Sequence, residues 1–211
     1  MKLSPESLRL YAVTSRARGM DEAALFRRIE AAVRGGAGMV QLREKGLGRA
    51  ALLEEAKRFT ALCRRLGAVS IINDDPEIAL EAGADGVHVG QGDLEAGRAR
   101  ALLGPGKILG VSAHSAEEAR AAQAAGADYL GCGAAFATGT KADAKPISRE
   151  TIREITAAVE IPVVAIGGIG RENILALKGL GLSGVAVVSG IFGQEDPEAA
   201  ARELLELSKQ L

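Results

Sequence analysis

The chain is poor in the residues that staple or metallate small domains. It has 2 cysteines, Cys63 and Cys132, and 2 histidines in 211 residues. Two cysteines cannot cross-link a domain of this length, so the chain reads as a cytoplasmic protein with reduced thiols. Neither HExxH nor CxxC occurs, which leaves little room for zinc; any metal is expected to be a hard cation held by carboxylates. Excess charge is missing too. With Lys plus Arg at 26 and Asp plus Glu at 27, no broad nucleic-acid footprint is expected, although a local basic site for a small anion is allowed. No apolar run approaches the roughly 18 residues of a membrane span, so no membrane partner is expected. Met1 to Leu10 carries Pro5 and Glu6 and no apolar h-region, so no secretory signal is expected. Hydrophobic residues, at 47%, are ample for a core.

Alternation is the strongest positive signal. Short β-branched runs alternate with segments rich in Ala, Leu, Glu and Arg about eight times. The pattern predicts strands over Leu8–Thr14, Met39–Arg43, Val69–Asn73, Gly86–Gly90, Ile108–Ser112, Tyr129–Gly133, Pro162–Gly167 and Gly184–Ser189. Helices follow at about 21–35, 49–66, 76–82, 94–103, 116–125, 148–159, 171–180 and 197–210. A weak repeat supports the count: Gly36-Ala37-Gly38, Gly83-Ala84-Asp85-Gly86, Gly126-Ala127-Asp128 and Gly181-Leu182-Ser183-Gly184 each end a helix and feed a strand. The strands read as continuous apolar runs, as parallel strands covered by helices should. The expected fold is α/β, a (β/α)8 TIM barrel forming a single domain over residues 1–211, near the lower size limit for that fold. A doubly wound open sheet is the rival, and it would usually stop at roughly five to seven strands.

In such a barrel the active site lies at the C-terminal strand ends. The second strand ends Gln41-Leu42-Arg43-Glu44-Lys45, whose alternation turns Gln41, Arg43 and Lys45 to one side. An amide and two cations at one mouth suit a dianion such as pyrophosphate; the competing reading is a solvated loop with Arg43 paired to Glu44. The third strand ends Asn73-Asp74-Asp75-Pro76, where Asp75 reads as a helix N-cap and leaves Asn73 and Asp74 unexplained. The fourth runs into Gly90-Gln91-Gly92-Asp93, and Asp93 either caps a helix starting at Leu94 or faces Asp74 as half of a Mg2+ site. After the fifth strand Ser115 and Glu118 fit a capping box, which leaves Ser112 to face an anion. His114 is then either structural or catalytic, and His88, between Val87 and Val89, reads as a hydrogen-bonded core residue. The segment Phe136 to Pro146 carries Thr138, Thr140 and Lys141 and exceeds the usual βα loop of about two to six residues, as a lid or a tolerated insertion would. Gly167-Gly168 and Val188-Ser189-Gly190 end the last two strands, the usual place for a phosphate in this fold. A side chain at Gly168 is expected to occupy the space of a phosphate oxygen.

These motifs resemble the thiamine-phosphate synthase family over essentially the whole chain: Gln41-Leu42-Arg43-Glu44-Lys45, Ile72-Asn73-Asp74-Asp75, His88-Val89-Gly90-Gln91-Gly92-Asp93, Gly110-Val111-Ser112-Ala113-His114, Thr138-Gly139-Thr140-Lys141, Ile166-Gly167-Gly168-Ile169 and Val188-Ser189. The resemblance implies a transferase that joins 4-amino-2-methyl-5-hydroxymethylpyrimidine diphosphate to a thiazole phosphate, or its carboxylated form, and releases pyrophosphate. It further implies that Gln41, Arg43, Lys45, Asn73, Ser112 and Lys141 hold the pyrimidine diphosphate, with Arg43, Lys45, Ser112 and Lys141 acting in catalysis. Asp74 and Asp93 would bind Mg2+, and Thr138, Thr140, Gly168, Val188 and Ser189 would hold the thiazole phosphate. The partners implied are these small molecules, with self-association into a homo-oligomer left open. A thiazole tautomerase-like isomerase and a non-catalytic phosphate-binding barrel are the alternatives; neither needs a complete leaving-group site.

Overall fold

The apolar runs pair side by side in sequence order until the last meets the first. In the computed structural model, which describes residues 3–17, 19–139 and 145–211, eight parallel strands close into a barrel. They are β1 (Leu10–Val13), β2 (Met39–Leu42), β3 (Val69–Asn73), β4 (Gly86–Val89), β5 (Ile108–Ala113), β6 (Tyr129–Cys132), β7 (Val163–Ile166) and β8 (Gly184–Val187). This is the (β/α)8 TIM barrel, and closure removes the open-sheet rival. The register brings distant residues level: Gln41 lies opposite Val13 and Ile71, Asn73 opposite His88, and Ser112 opposite Gly131.

The helices are α1 (Pro5–Arg9), α2 (Glu22–Arg34), α3 (Arg49–Leu66), α4 (Pro76–Glu81), α5 (Ala96–Leu103), α6 (Ala116–Ala124), α7 (Arg149–Ala157), α8 (Ser189–Phe192) and α9 (Pro197–Ser208). Strand alternation splits the apolar residues between two layers. Leu8, Tyr11, Met39, Ile71, Ile108, Tyr129 and Val164 fill the barrel, while Leu25, Ile29, Phe59, Ile78 and Ile155 pack between strands and helices. The four repeat glycines, Gly36, Gly83, Gly126 and Gly181, all take positive φ, as helix-closing turns require.

Three stretches depart from the sequence pattern. Leu8 and Arg9 belong to α1, which Ser4 caps and Pro5 starts, so the first strand begins two residues later than its apolar run. The stretch expected to be helical over 171–180 is a short 3-10 turn, Ile174–Leu177. Asn173 stands where a cap would, but its side chain is spent on the Gly170 amide and the Gly168 carbonyl. The small residues after β8 form α8, which its four-residue length hid from periodicity.

Candidate active site

Each strand end delivers its polar residues to one rim, and the local chemistry explains how. Asp75 is the N-cap of α4: its carboxylate accepts the Ile78 amide at 2.9 Å, with Pro76 in the first turn. Capping turns the chain sharply, and Asp74 just before it sits at φ 66, the one non-glycine with positive φ among the described residues. Such a conformation costs about 1–3 kcal/mol for a residue with a side chain, so the surrounding structure must hold it in place. The Asp74 amide donates to the His88 carbonyl at 2.8 Å, so the β3–β4 ladder fixes it.

Asp93 has no capping role. α5 begins at Ala96, and Glu95 caps it by accepting the Gly97 and Arg98 amides. The Asp93 carboxylate instead accepts the Gly90 amide at 2.7 Å and lies within hydrogen-bonding reach of Asp74. Burial, then the Asp93 hydrogen bond and charge, push the Asp74 carboxyl up to about 6, against the opposing pull of Asn73 and Lys45. Two carboxylates this close repel when both ionise, and either a proton held on Asp74 or a bound cation relieves the repulsion. No group of three or more His, Cys, Asp or Glu side chains suited to a metal occurs among the described residues. A pair suits Mg2+, which takes one or two carboxylates and completes its shell with water and phosphate oxygens.

Glu44 is not the partner of Arg43. It turns away and accepts from Arg16 Nε at 2.8 Å, while Arg16 also pairs with Glu55 on α3. Both carboxylates are buried, at 6% and 4% side-chain exposure, and burial raises the Glu44 pKa. The Arg43 amide donates to the buried Thr14 hydroxyl at 2.9 Å. Arg43 and Lys45 enter no ion pair among the described residues, and Lys45 lies close enough to Asp74 to lower its pKa. Gln41 sits deeper: it is 4% exposed and donates from Nε2 to the Tyr11 hydroxyl inside the barrel.

The Ser112 hydroxyl meets His88 Nε2 at 3.0 Å. His88 is the hydrogen-bonded residue its flanking valines suggest, with Nδ1 3.0 Å from the Tyr129 hydroxyl. Burial pushes its imidazole down to about 4, so the ring is neutral near pH 7. His114 is exposed; its amide and Nδ1 both meet the Glu118 carboxylate, which reaches one residue beyond Ser115, the cap of α6.

The opposite rim is made of backbone. Past β6 the Ala135 and Phe136 amides donate to the Ile166 and Gly167 carbonyls, and the Ile147 amide donates to Ala134, closing the base of the long loop. Thr138 lies on this base; Thr140 and Lys141 lie outside the described residues. Gly168 has φ +64, and a Cβ there would sit 2.4 Å from the Ala137 carbonyl oxygen. Its side-chain direction is therefore taken by the β6 loop, which corrects the expectation that it faces a phosphate oxygen. Asn173, which sequence reasoning missed, holds the Gly168 carbonyl at 2.9 Å. Val188 precedes Ser189 at the start of α8, where the first amides of a helix have no intrahelical acceptors.

Comparison with known proteins gives one consistent answer over most of the chain. The family model described as thiamine monophosphate synthase matches residues 10–191. The chain is 48% identical over 198 residues to a thiamine-phosphate synthase of Ruminiclostridium cellulolyticum, covering 94% of each. It is 51% identical over 180 residues to that of Moorella thermoacetica, covering 85% of this chain and 86% of the relative. A solved thiamine phosphate pyrophosphorylase from Pyrococcus furiosus superposes with a TM-score of 0.88 at 36% identity, covering 97% of both chains. Among the described residues no helix is long and apolar enough to cross a membrane.

Proposed function

The chain belongs to the thiamine monophosphate synthase family and is a transferase of that activity, and we propose that the charged half of its barrel mouth is where the diphosphate of an aminopyrimidine substrate leaves. The observation that carries this is Asp74, a left-handed residue whose raised carboxyl faces Asp93 beside Lys45. An acidic pair next to unpaired cations suits a metal-bound diphosphate. Asp74 and Asp93 are the residues that would hold Mg2+, which supplies Lewis-acid stabilisation of a leaving phosphate group when bound.

The rest falls to the protein's own groups. Joining the pyrimidine methylene to the thiazole nitrogen requires a departing diphosphate and an oriented nucleophile, and no proton has to be removed. Arg43, Lys45, Asn73, Ser112 and Lys141 would take the diphosphate, and Gln41 would reach the pyrimidine from below. Arg43, Lys45, Ser112 and Lys141 stabilise negative charge as it builds on the leaving group. Thr138, Thr140, Gly168, Val188 and Ser189 would hold the thiazole phosphate on the backbone-rich rim, placing its nitrogen against the methylene. Residues 1–211 would work as one barrel domain in the cytoplasm on small-molecule substrates.

An assay with both substrates tests this reading. Turnover should require Mg2+, stop in EDTA and resume on its return, and Asp93→Asn should lose roughly 10²-fold in kcat. Full activity of the EDTA-treated protein would overturn the metal assignment. Conversion of the thiazole phosphate without the diphosphate would favour an isomerase.

A further inference from the structure

A line of polar groups crosses the barrel beneath the proposed diphosphate site. Gln41 Nε2 donates to the Tyr11 hydroxyl at 2.5 Å, Tyr11 meets the Tyr129 hydroxyl at 3.0 Å, Tyr129 meets His88 Nδ1 at 3.0 Å, and His88 Nε2 meets Ser112 Oγ at 3.0 Å. The two tyrosines are essentially buried, at 1% and 0% exposure, with their rings edge to face. Space has been made for the line. A Cβ at Gly110 on β5 would fall 2.2 Å from the Tyr129 ring, and one at Gly131 on β6 would fall 3.1 Å from His88 Cε1. Apolar side chains would fill the same volume without the need to satisfy five polar groups, so a fully paired row here points to a use.

We propose that Tyr11 and Tyr129 are positioning residues: together with Gln41 they orient a one-way hydrogen-bond relay that holds His88 as its Nε2–H tautomer and so turns the Ser112 hydroxyl outward as a donor to the leaving diphosphate. The direction follows from donor chemistry. An amide nitrogen can only donate, so Tyr11 accepts from Gln41. The Tyr11 proton then has the Tyr129 oxygen as its acceptor, because the reverse direction would leave that buried O–H without one. Tyr129 in turn donates to His88 Nδ1, which leaves the ring proton on Nε2. With Nε2–H donating to Ser112 Oγ, the serine proton has no role inward and points to the mouth. The opposite direction would make Ser112 a donor to the ring, and the reaction has no proton for it to abstract. No proton is transferred along the line; it sets orientation alone. The inference rests on Ser112 facing the diphosphate as proposed above.

The test begins with the unaltered protein, saturated with Mg2+ and pyrophosphate. With only two histidines in the chain, 15N-labelled imidazole spectra hold two rings, and His114→Gln assigns them. His88 should carry its proton on Nε2; a proton on Nδ1 overturns the proposal without any variant having to fold. Steady-state kinetics follow. Tyr129→Phe should lower kcat about tenfold, as the loss of an outer partner of a ligating group does, and leave KM for the thiazole phosphate unchanged. Tyr11→Phe should have a smaller effect, because Tyr129 can still donate to His88. If Tyr129 acts through Ser112, Ser112→Ala combined with Tyr129→Phe should be no slower than Ser112→Ala alone, whereas a merely structural role gives multiplying losses. Multiplying losses, or an unchanged kcat in Tyr129→Phe, overturn the relay. Full activity of Ser112→Ala instead overturns the placement of Ser112 at the diphosphate, and the relay's purpose with it.

Discussion

Gly168→Ala is the sharpest probe of how the two rims of the mouth are joined. Two penalties are expected, and they can be measured apart. The first is conformational: at φ +64 an alanine is strained by about 1–2 kcal/mol. The second is steric. The new Cβ would lie 2.4 Å from the Ala137 carbonyl and 3.0 Å from Phe136 Cβ, so the β6 loop must give by about 0.6 Å to restore even a tight contact. Gly179 supplies the control, since it has φ +74 with nothing within 4 Å of an added Cβ. Gly179→Ala should therefore lower Tm by roughly 2–8 °C from backbone strain alone and leave ligand binding intact. Gly168→Ala should lower Tm by at least as much. It should also weaken thiazole-phosphate binding roughly tenfold, because the displaced segment carries Thr138 and displacements near 1 Å reach about 10²-fold. Arg43, Lys45, Asp74 and Asp93 stand on other loops, so Mg2+-pyrophosphate binding should stay within about twofold of wild type, well inside one 1.4 kcal/mol decade. Scanning calorimetry beside two separate titrations gives all three readings. A Gly168→Ala protein that melts like Gly179→Ala and binds the thiazole phosphate normally would refute the coupling of the β7 and β6 loops.

Three further outcomes follow from the site. In metal-free protein the Asp74 carboxyl should titrate near 6 by 13C NMR, fall in Asp93→Asn and fall again with Mg2+; because this pKa is raised, the group favours the metal-free fold more as pH drops from above 6 towards 4, and an ordinary titration near 4 would contradict the paired geometry. Arg16→Met leaves Glu44 and Glu55 buried without their cation, which should destabilise the fold by about 3–5 kcal/mol and lower Tm by roughly 10 °C or more. The deficit should shrink as pH falls, since protonation removes the stranded charges; a variant melting like wild type at pH 8 would show that the pair is solvated. Lys141→Ala should lower kcat more than it raises KM for the thiazole phosphate, and a change confined to that KM would move Lys141 to the other rim.

The barrel was legible because its signals repeat. Eight apolar runs spaced by amphipathic segments admit few topologies, and each glycine turn reinforces the next. Short elements lacked that redundancy. α1 hides because its buried apolar residue, Leu8, stands two before Leu10, the first residue of β1, so a period-2 reading absorbs it. The 3-10 turn occupies a stretch with helical composition, but Asn173 bonds backward to Gly168 and Gly170 and the α-helix has no start. Nothing local in the sequence distinguishes an asparagine that caps from one that braces the preceding loop.

The site divides along a different line. Arg43, Lys45, Asp74 and Asp93 stand out as candidates in the sequence because they are charged residues at strand ends, where burial of a helix face does not explain them. Their supports could not. Glu44 looked like a partner for Arg43, yet the geometry gives it to Arg16, a pairing that joins two loops 28 residues apart. That swap matters chemically, since a carboxylate beside Arg43 would compete with any anion, and burying it against Arg16 leaves the guanidinium available. The relay under Ser112 is harder still to read. Its members lie on β1, β2, β4, β5 and β6, and in each strand they occupy ordinary inward positions among apolar neighbours. Only the closed register sets Ser112 opposite Gly131 and Gly110 opposite Tyr129, so that the small residues on one strand admit the large polar ones of another. A reaction that needs no base puts its demands on orientation, and orientation is written in contacts between strands.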